Sequence, residues 1–535
     1  MFNFLTLELE MESPTTPPYV LCLDGGTESI RAGIFDRSGS LLSASSSAYP
    51  TRFPKSGWAE QYPGEWWTAA VRAVKDCLAM APVRAVDIRG LSLDATTCTL
   101  LALGADMQPL LPAFLWVDVR AAKQAARIFA MAHAHPALAY SPAGCNAEWM
   151  LSKTLWLAEN EPELYARTSH FIEYTDWLVY QLTGKLVLNL NTVTQRWYYN
   201  QRAWKFPSSL YDQLGIPDLI AKIPQEVVPA GQAIGPLRPE VARTLGLSET
   251  TIVYQGGGDA FIGLLGLNVT RPGKIGLITG SSNVLAGFVA EEFHHPSLYG
   301  AFPDAVVPGL FLVEGGQSST GANLAWFKRT FAQDLPEGLA YQMLDGEAAS
   351  VLPGAGGLVA LDYFQGNRTP YTDSQARGAI WGLSLSSSRG QVFRALMESI
   401  AFGSRLILES LAVNGCPVEQ IYACGGATYS HLFMQIYADI CGIPISVVKV
   451  ADAPLVGDAV LAFTGLGVYA DLAAAAEAMV KFDWHYLPNL ELSQEYQFYF
   501  ELYKDTYHQL KGLMHRLSEH LPESEGDQPP WRRFS

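Results

Sequence analysis

Twice in this chain a short apolar strand runs into a small, hydroxyl-bearing glycine loop and returns as a second strand. The first unit is Tyr19-Val20-Leu21-Cys22-Leu23, then Asp24-Gly25-Gly26-Thr27-Glu28-Ser29-Ile30-Arg31, then Ala32-Gly33-Ile34-Phe35-Asp36. The second is Lys274-Ile275-Gly276-Leu277-Ile278, then Thr279-Gly280-Ser281-Ser282-Asn283, then Val284-Leu285-Ala286-Gly287-Phe288. Each reads as a β-hairpin with a glycine-rich tip. Their recurrence, one near the start of each half, predicts a duplicated α/β domain with an anion held between the copies. Backbone N–H groups and Thr27 at such a tip can cradle phosphate oxygens. Asp24 can hold Mg²⁺ through water, because that ion takes few carboxylates and keeps several waters. Taken alone, Gly25-Gly26-Thr27 reads first as an ordinary tight turn.

Between the hairpins lies Tyr254-Gln255-Gly256-Gly257-Gly258-Asp259-Ala260-Phe261, preceded by a β-rich run and followed by an apolar one. Three glycines at a strand end permit a sharp turn and close approach to a ligand. They deliver one carboxylate, Asp259, placed as a general base or as the N-cap of the next helix.

The remaining elements follow from periodicity and punctuation. Helices are predicted from about Glu65 to Met80 behind Pro63, from Glu148 to Glu159, and from Asp176 to Leu182 before Thr183-Gly184. Others are expected over Gln391–Leu411, Leu432–Cys441, from Pro454 onward, and over Ser493–Leu517. Val86–Leu93 reads as a buried strand ending in Asp94-Ala95-Thr96. A second strand leads to Trp116-Val117-Asp118-Val119-Arg120, where Asp118 and Arg120 form a surface pair or line a cleft. Asn191–Asn200, with Arg196, Trp197 and Tyr198, reads as irregular and aromatic, either a substrate wall or packing. Gln420–Cys424 reads as a strand ending in Gly425-Gly426-Ala427, where bare backbone can accept a flat ring.

A chain of 535 residues exceeds one core and predicts two large domains. The expected boundaries are a leader over 1–17, domains over 18–270 and 271–520, and a tail over 521–535. Net charge of −16 argues against nucleic acid and anionic membranes, which require basic patches. The seven scattered cysteines form no C-x-x-C pair and read as reduced thiols of a cytoplasmic protein. The N-terminus lacks a basic signal-peptide region, and no apolar run reaches the length of a membrane span.

Together these pieces resemble the FGGY carbohydrate kinases of the actin-like ATPase superfamily. The matching stretches are Asp24-Gly25-Gly26-Thr27 with Arg31, Trp58-Ala59-Glu60-Gln61, Trp116-Val117-Asp118-Val119-Arg120-Ala121, Gly258-Asp259-Ala260, Thr279-Gly280-Ser281-Ser282, Gly366-Asn367-Arg368-Thr369-Pro370 and Gly425-Gly426-Ala427. The resemblance covers about Tyr19 to Leu517. It implies two ribonuclease-H-like domains with ATP in the cleft between them and a sugar deep in the first. By position it implies that Asp259 is the base and that Asp24 lies near Mg²⁺. It also implies that Asp24, Gly25, Gly26, Thr27 and Arg31, with Thr279, Gly280, Ser281 and Ser282, face the nucleotide's phosphates, while Gly425, Gly426 and Ala427 flank the adenosine. Thr96 and Asp118 are assigned to the sugar side.

The Arg-Glu pair of glycerol kinases is absent after the strand ending at Asp94, as is the Gln-x-His-Gly pattern of xylulokinases. Glu314-Gly315-Gly316-Gln317 resembles the ribulokinase-like branch, which implies that Ala95, Arg196, Asp259 and Glu314 hold a ketose. Arg196 departs from the lysine of ribulokinases, and the two are not equivalent donors. Ser281 replaces a threonine found in many members but keeps the hydroxyl. The leading expectation is an ATP-dependent kinase acting on the terminal hydroxyl of D- or L-ribulose. The alternatives are a kinase for xylulose, erythrulose, ribitol or glycerol, a non-catalytic sugar- or nucleotide-binding regulator, and an actin- or chaperone-like ATPase. A homodimer is common in such kinases, although no interface is evident in the sequence.

Overall fold

The computed structural model describes residues 17–131, 135–141, 144–295, 297–450 and 452–520. The expected leader up to residue 16 and the tail from 521 lie outside them. Two twisted mixed sheets dominate the architecture. The first runs Ala233–Pro236, Ile252–Tyr254, Ile88–Ala95, Tyr19–Gly25, Ser29–Phe35, Leu41–Ala48. The second runs Tyr299–Pro303, Phe311–Gln317, Asn283–Val289, Lys274–Thr279, Gln420–Gly425, Ile445–Val448, Phe482–Tyr486.

Six strands of the second sheet repeat the pairing of the first. In each, a hairpin opens the unit and a third strand continues antiparallel (Ser29–Phe35 with Leu41–Ala48; Asn283–Val289 with Phe311–Gln317). A distant strand then pairs parallel with the hairpin's first strand (Ile88–Ala95; Gln420–Gly425). A second parallel strand and an antiparallel edge complete each sheet. The parallel strands are mostly apolar and mostly buried, as strands covered on both faces must be. The duplication read from the two hairpins is therefore the duplication of a whole sheet.

The hairpin strands are longer than the sequence suggested. The first runs to Gly25, so Asp24 sits in the ladder opposite Arg31 and beside Asp94. The helix expected from Glu65 begins at Pro63, whose missing N–H costs nothing at a first helical position. The helix Tyr174–Thr183 stops at Gly184, which takes φ 74°. Asn191–Asn200 is a correction. Leu190–Arg196 is helical, with the Asn189 side chain accepting the Thr192 N–H at 2.7 Å. This helix is buried on every side, so it carries no amphipathic period for sequence reading to detect.

Two apolar clusters fill the molecule, one around each sheet. The helix Ala453–Gly465 belongs to the later part of the chain but packs on the first sheet and crosses Asp259–Gly266 closely. That crossing brings one buried carboxyl, Asp458, against Ser92 of the strand Ile88–Ala95. Among the described residues no helix is long and apolar enough to cross a membrane, and the cysteines form no disulfide.

Candidate active site

The Gly256–Gly258 turn serves the protein's own packing. A Cβ on Gly256 would lie 1.8 Å from the Leu93 carbonyl oxygen, and one on Gly258 would lie 2.1 Å from Thr97 Cγ2. Bare backbone is required for this turn to meet the strand Ile88–Ala95. The Gly258 N–H donates to Asn191 Oδ1 at 2.8 Å, and Gly257 O accepts from the Ala95 N–H and the Thr175 hydroxyl. The turn is pinned from three sides. Asp259 emerges from it as the first residue of the helix Asp259–Gly266, with Gly258 in the N-cap position. Its Oδ1 accepts the Ala260 N–H at 2.8 Å, the one hydrogen bond the carboxylate makes among the described residues. Burial, with the Asp24 charge nearby, pushes the Asp259 carboxyl up to about 7, against a smaller downward pull from the Ala260 N–H and Arg31. A carboxyl at that value is poised to accept a proton near neutrality.

Asp24 is inaccessible. Its Oδ2 accepts from Arg31, which also reaches Asp452, so the guanidinium is held between two carboxylates. Its Oδ1 is buried with no partner among the described residues. Burial pushes Asp24 up to about 6 despite Arg31. Asp94 stands beside it in the parallel register; among the described residues neither Asp94 oxygen meets an N–H or hydroxyl donor, and its polar neighbours are the carboxyls of Asp24 and Asp458. Burial first, then the charges of Asp24 and Asp458, push Asp94 well above the ordinary carboxylate range. Asp458, from the helix Ala453–Gly465, accepts the Ser92 hydroxyl at 2.9 Å. Among the described residues there is no cluster of three or more metal-type ligands. The orphaned Asp24 oxygen nevertheless fits a cation that keeps most of its shell as water and phosphate oxygen, as Mg²⁺ does.

At the first hairpin tip, Thr27 Oγ1 accepts from Trp116 Nε1 at 3.0 Å, and Gln61 donates to the Thr27 carbonyl at 2.6 Å. Gly25 O receives the Thr96 N–H at 2.9 Å, which joins the first tip to the loop after Asp94-Ala95. At the second tip, Gly280, Ser281 and Ser282 are exposed. Thr279 is not: its hydroxyl donates to Cys424 O at 2.8 Å and accepts the Ala427 N–H at 3.1 Å. It ties the two glycine loops together and has no hydrogen left for a phosphate. Gly425 takes φ 93°, and a Cβ there would lie 1.9 Å from the Thr279 carbonyl oxygen. Gly280, Ser281, Gly426 and Ala427 line a cavity of about 960 Å³ walled by Leu324, Tyr341, Phe393, Met397 and Phe433, with Asp345, Gln342, Ser430 and His431 among its polar side chains. A large apolar slot with a phosphate-type loop at one end suits a nucleoside.

Ala95 is buried with its N–H on Gly257 O, and the Thr96 hydroxyl pairs with Thr99 at 3.0 Å. Arg196 ends the helix Leu190–Arg196 and donates to Glu314 Oε1 at 2.7 Å, both side chains being almost inaccessible. The guanidinium lies over the rings of Trp149 and Phe261. Burial alone would raise Glu314, but the charges of Arg196 and, behind it, Arg368 hold it below its ordinary value. Asp118, expected on the sugar side, is placed otherwise. It is fully buried, and its carboxylate accepts the Ala59 N–H at 2.7 Å and the Arg120 guanidinium at 2.7 and 2.9 Å. It holds the segment bearing Trp116 and offers nothing to a ligand.

Sequence reading passed over Asp94, Asp452, Asp458 and Trp116 as site residues. Asp94 had a signal, the same distance from its strand end as Asp24. Asp452, just ahead of the helix Ala453–Gly465, and Asp458 within it arrive from far along the chain and had none.

Residues 19–266 match the FGGY family of carbohydrate kinases, N-terminal domain, and residues 277–466 match its C-terminal domain. The ribulokinase of Geobacillus thermodenitrificans (strain NG80-2) is 32% identical over 508 residues, covering 86% of this chain and 89% of the relative. The xylulose kinase of Bacillus subtilis (strain 168) is 30% identical over 497 residues, covering 92% and 98%. The solved xylulose kinase from Rhodospirillum rubrum superposes with a TM-score of 0.85 at 26% identity, over 93% of this chain and all of that one. With both domains matched in order along the chain, the protein belongs to the FGGY family of carbohydrate kinases and is ribulokinase-like within it.

Proposed function

We propose that the protein transfers the γ-phosphoryl group of ATP to the terminal hydroxyl of a pentulose, D- or L-ribulose, with Asp259 as general base. The observation that carries this reading is the Asp259 carboxyl, presented by a pinned turn at a helix start and pushed up to about 7. The ketose lies against Ala95, Thr96, Arg196 and Glu314. Asp259 takes the hydroxyl proton as the oxygen attacks the γ-phosphorus, the bond to the ADP oxygen breaks, and the proton leaves with the products. Such transfers ask the protein mainly for alignment and charge neutralisation. Bound Mg²⁺ supplies neutralisation on the phosphate oxygens, and Asp24 is the residue that would hold it, through water.

Gly26, Thr27 and the exposed Gly280–Ser282 tip face the phosphates from opposite domains, while Gly425, Gly426 and Ala427 back the adenosine. Arg31 acts by holding Asp24 and Asp452 rather than by reaching phosphate itself. The Arg196–Glu314 pair is supplied by both halves of the chain, so the sugar side is complete only when they are together. That closure excludes the water that would otherwise take the phosphoryl group.

A second acceptor, xylulose, is favoured by the Bacillus subtilis xylulose kinase, which this chain matches along nearly that relative's whole length. ADP release with Mg-ATP across D-ribulose, L-ribulose, D-xylulose, L-xylulose, erythrulose, ribitol and glycerol tests the reading. Strong stimulation by one ribulose is expected. Stimulation by xylulose alone moves the acceptor, and sugar-independent hydrolysis overturns the reading.

A further inference from the structure

Lys153 is the most completely enclosed ammonium group near the cleft. It lies on the helix Met150–Asn160 with no exposed surface. Its Nζ donates to three main-chain carbonyls: Cys98 O at 2.6 Å, Leu115 O at 2.7 Å and Phe114 O at 3.1 Å. Three N–H bonds meet three acceptors, so the group is saturated. No carboxylate touches it among the described residues.

A carboxyl, Glu173, meets the other side of Cys98, and burial pushes it up to about 8. Glu173 Oε2 accepts the Cys98 N–H at 2.7 Å, while its Oε1 accepts Trp197 Nε1 at 2.6 Å. Cys98 is thus gripped from both sides, its carbonyl by Lys153 and its amide by Glu173. It is held at φ 63°, a conformation that a non-glycine residue keeps only when its surroundings impose it.

The gripped segments lead into the cleft. Cys98 follows Thr96 by two residues. Leu115 precedes Trp116, whose indole meets Thr27 at the first hairpin tip. Trp197 follows Arg196. The strands Leu100–Leu103 and Ala113–Phe114 already pair at Leu100 and Phe114, so backbone pairing secures the sheet without help. From that pair outward, Lys153 joins the two segments through the carbonyls of Cys98, Phe114 and Leu115. Packing alone would favour an apolar side chain here, because burying an ammonium is costly.

We propose that Lys153 is a positioning residue for the sugar site, holding the Ala95–Thr96 loop and the Trp116 loop at a fixed separation through three carbonyls. This rests on the assignment of Ala95 and Thr96 to the sugar side.

The test compares wild type, Lys153→Met and Lys153→Gln. Methionine keeps the volume and removes every donor, whereas glutamine keeps two. Lys153→Met is expected to raise KM for the accepted ketose about 10-fold or more, with KM for ATP changed by less than about twofold and Lys153→Gln intermediate. Hydrogen exchange should accelerate in segments 96–99 and 115–118 alone. Parallel loss for both substrates, or a lower Tm with the ketose KM unchanged, overturns the proposal. If Lys153→Met fails to fold, Lys153→Gln decides by the same split. If wild type accepts no ketose in the panel, the sugar reading fails separately. The positioning claim then stands or falls on exchange confined to those two segments, with ADP affinity unchanged, against exchange spread through the domain.

Discussion

Arg196 and Glu314 meet at 2.7 Å in the buried contact between the two halves of the chain, one from a helix beside the first sheet and one from a strand of the second. Each pays for desolvation only while the other is present. Removing one partner of a buried pair leaves an uncompensated charge, which typically costs about 3–5 kcal/mol. Glu314→Ala and Arg196→Ala should each destabilise by that order, and the double variant by clearly less than their sum. A double-mutant cycle in urea checks this, and additive losses would show that the two do not act as a pair.

Asp259→Asn should keep the fold and the affinity for ADP while sugar-stimulated turnover falls about 10²–10⁴-fold, the usual contribution of a general base. Single-turnover assays with the accepted ketose measure it. Turnover close to wild type would take the base role away from Asp259.

The same carboxyl sets a pH dependence. With a folded value of about 7, kcat/KM should rise with pH through that point as the base ionises. This limb should be missing from the residual activity of Asp259→Asn.

Stability should move the other way. The folded-state value of Asp259 lies above the ordinary 3.8, so the folded protein binds that proton more tightly than the unfolded chain. Its contribution is complete below about pH 4 and is lost as pH climbs through 7. The upward shifts of Asp24, Asp94 and Asp458 act in the same direction. Asp259→Asn should therefore gain on wild type as pH rises from 5 to 8, read as the difference in Tm without ligands. A constant difference across that range would contradict the upward shift.

Gly425→Ala should weaken nucleotide binding selectively. It forces a side chain into a backbone region that is essentially glycine-only, at about 1–3 kcal/mol, and sets its Cβ against the Thr279 carbonyl. Displacing that strand end moves Ala427 and opens the cavity wall. Calorimetry with ADP should show an affinity loss of about 10-fold or more, since each 1.4 kcal/mol is a factor of ten.

Much of this was legible locally. A glycine-rich tip between two apolar strands is a short-range signal, so both hairpins, and from them the duplicated fold, could be read directly. Asp259 was visible because three glycines in a row have few other uses. The helix Leu190–Arg196 escaped because it is buried all round and its cap, Asn189, lies within a run of apolar and amide residues. Asp118 was misassigned because a carboxylate at a strand end looks the same whether it faces a ligand or an arginine.

The sequence by itself determined the two hairpins, the repeated sheet they open and the carboxylate presented between them. These depend on backbone geometry within a few residues, which glycine, proline and apolar alternation control directly. Only the tertiary structure decided what surrounds those carboxylates. Asp94 lies beside Asp24 through strand register, Asp458 reaches Ser92 from a helix of the later half, and Arg196 meets Glu314 in the buried contact between the two halves. The charge state of a buried group depends on neighbours brought together by folding, and separation along the chain says nothing about them.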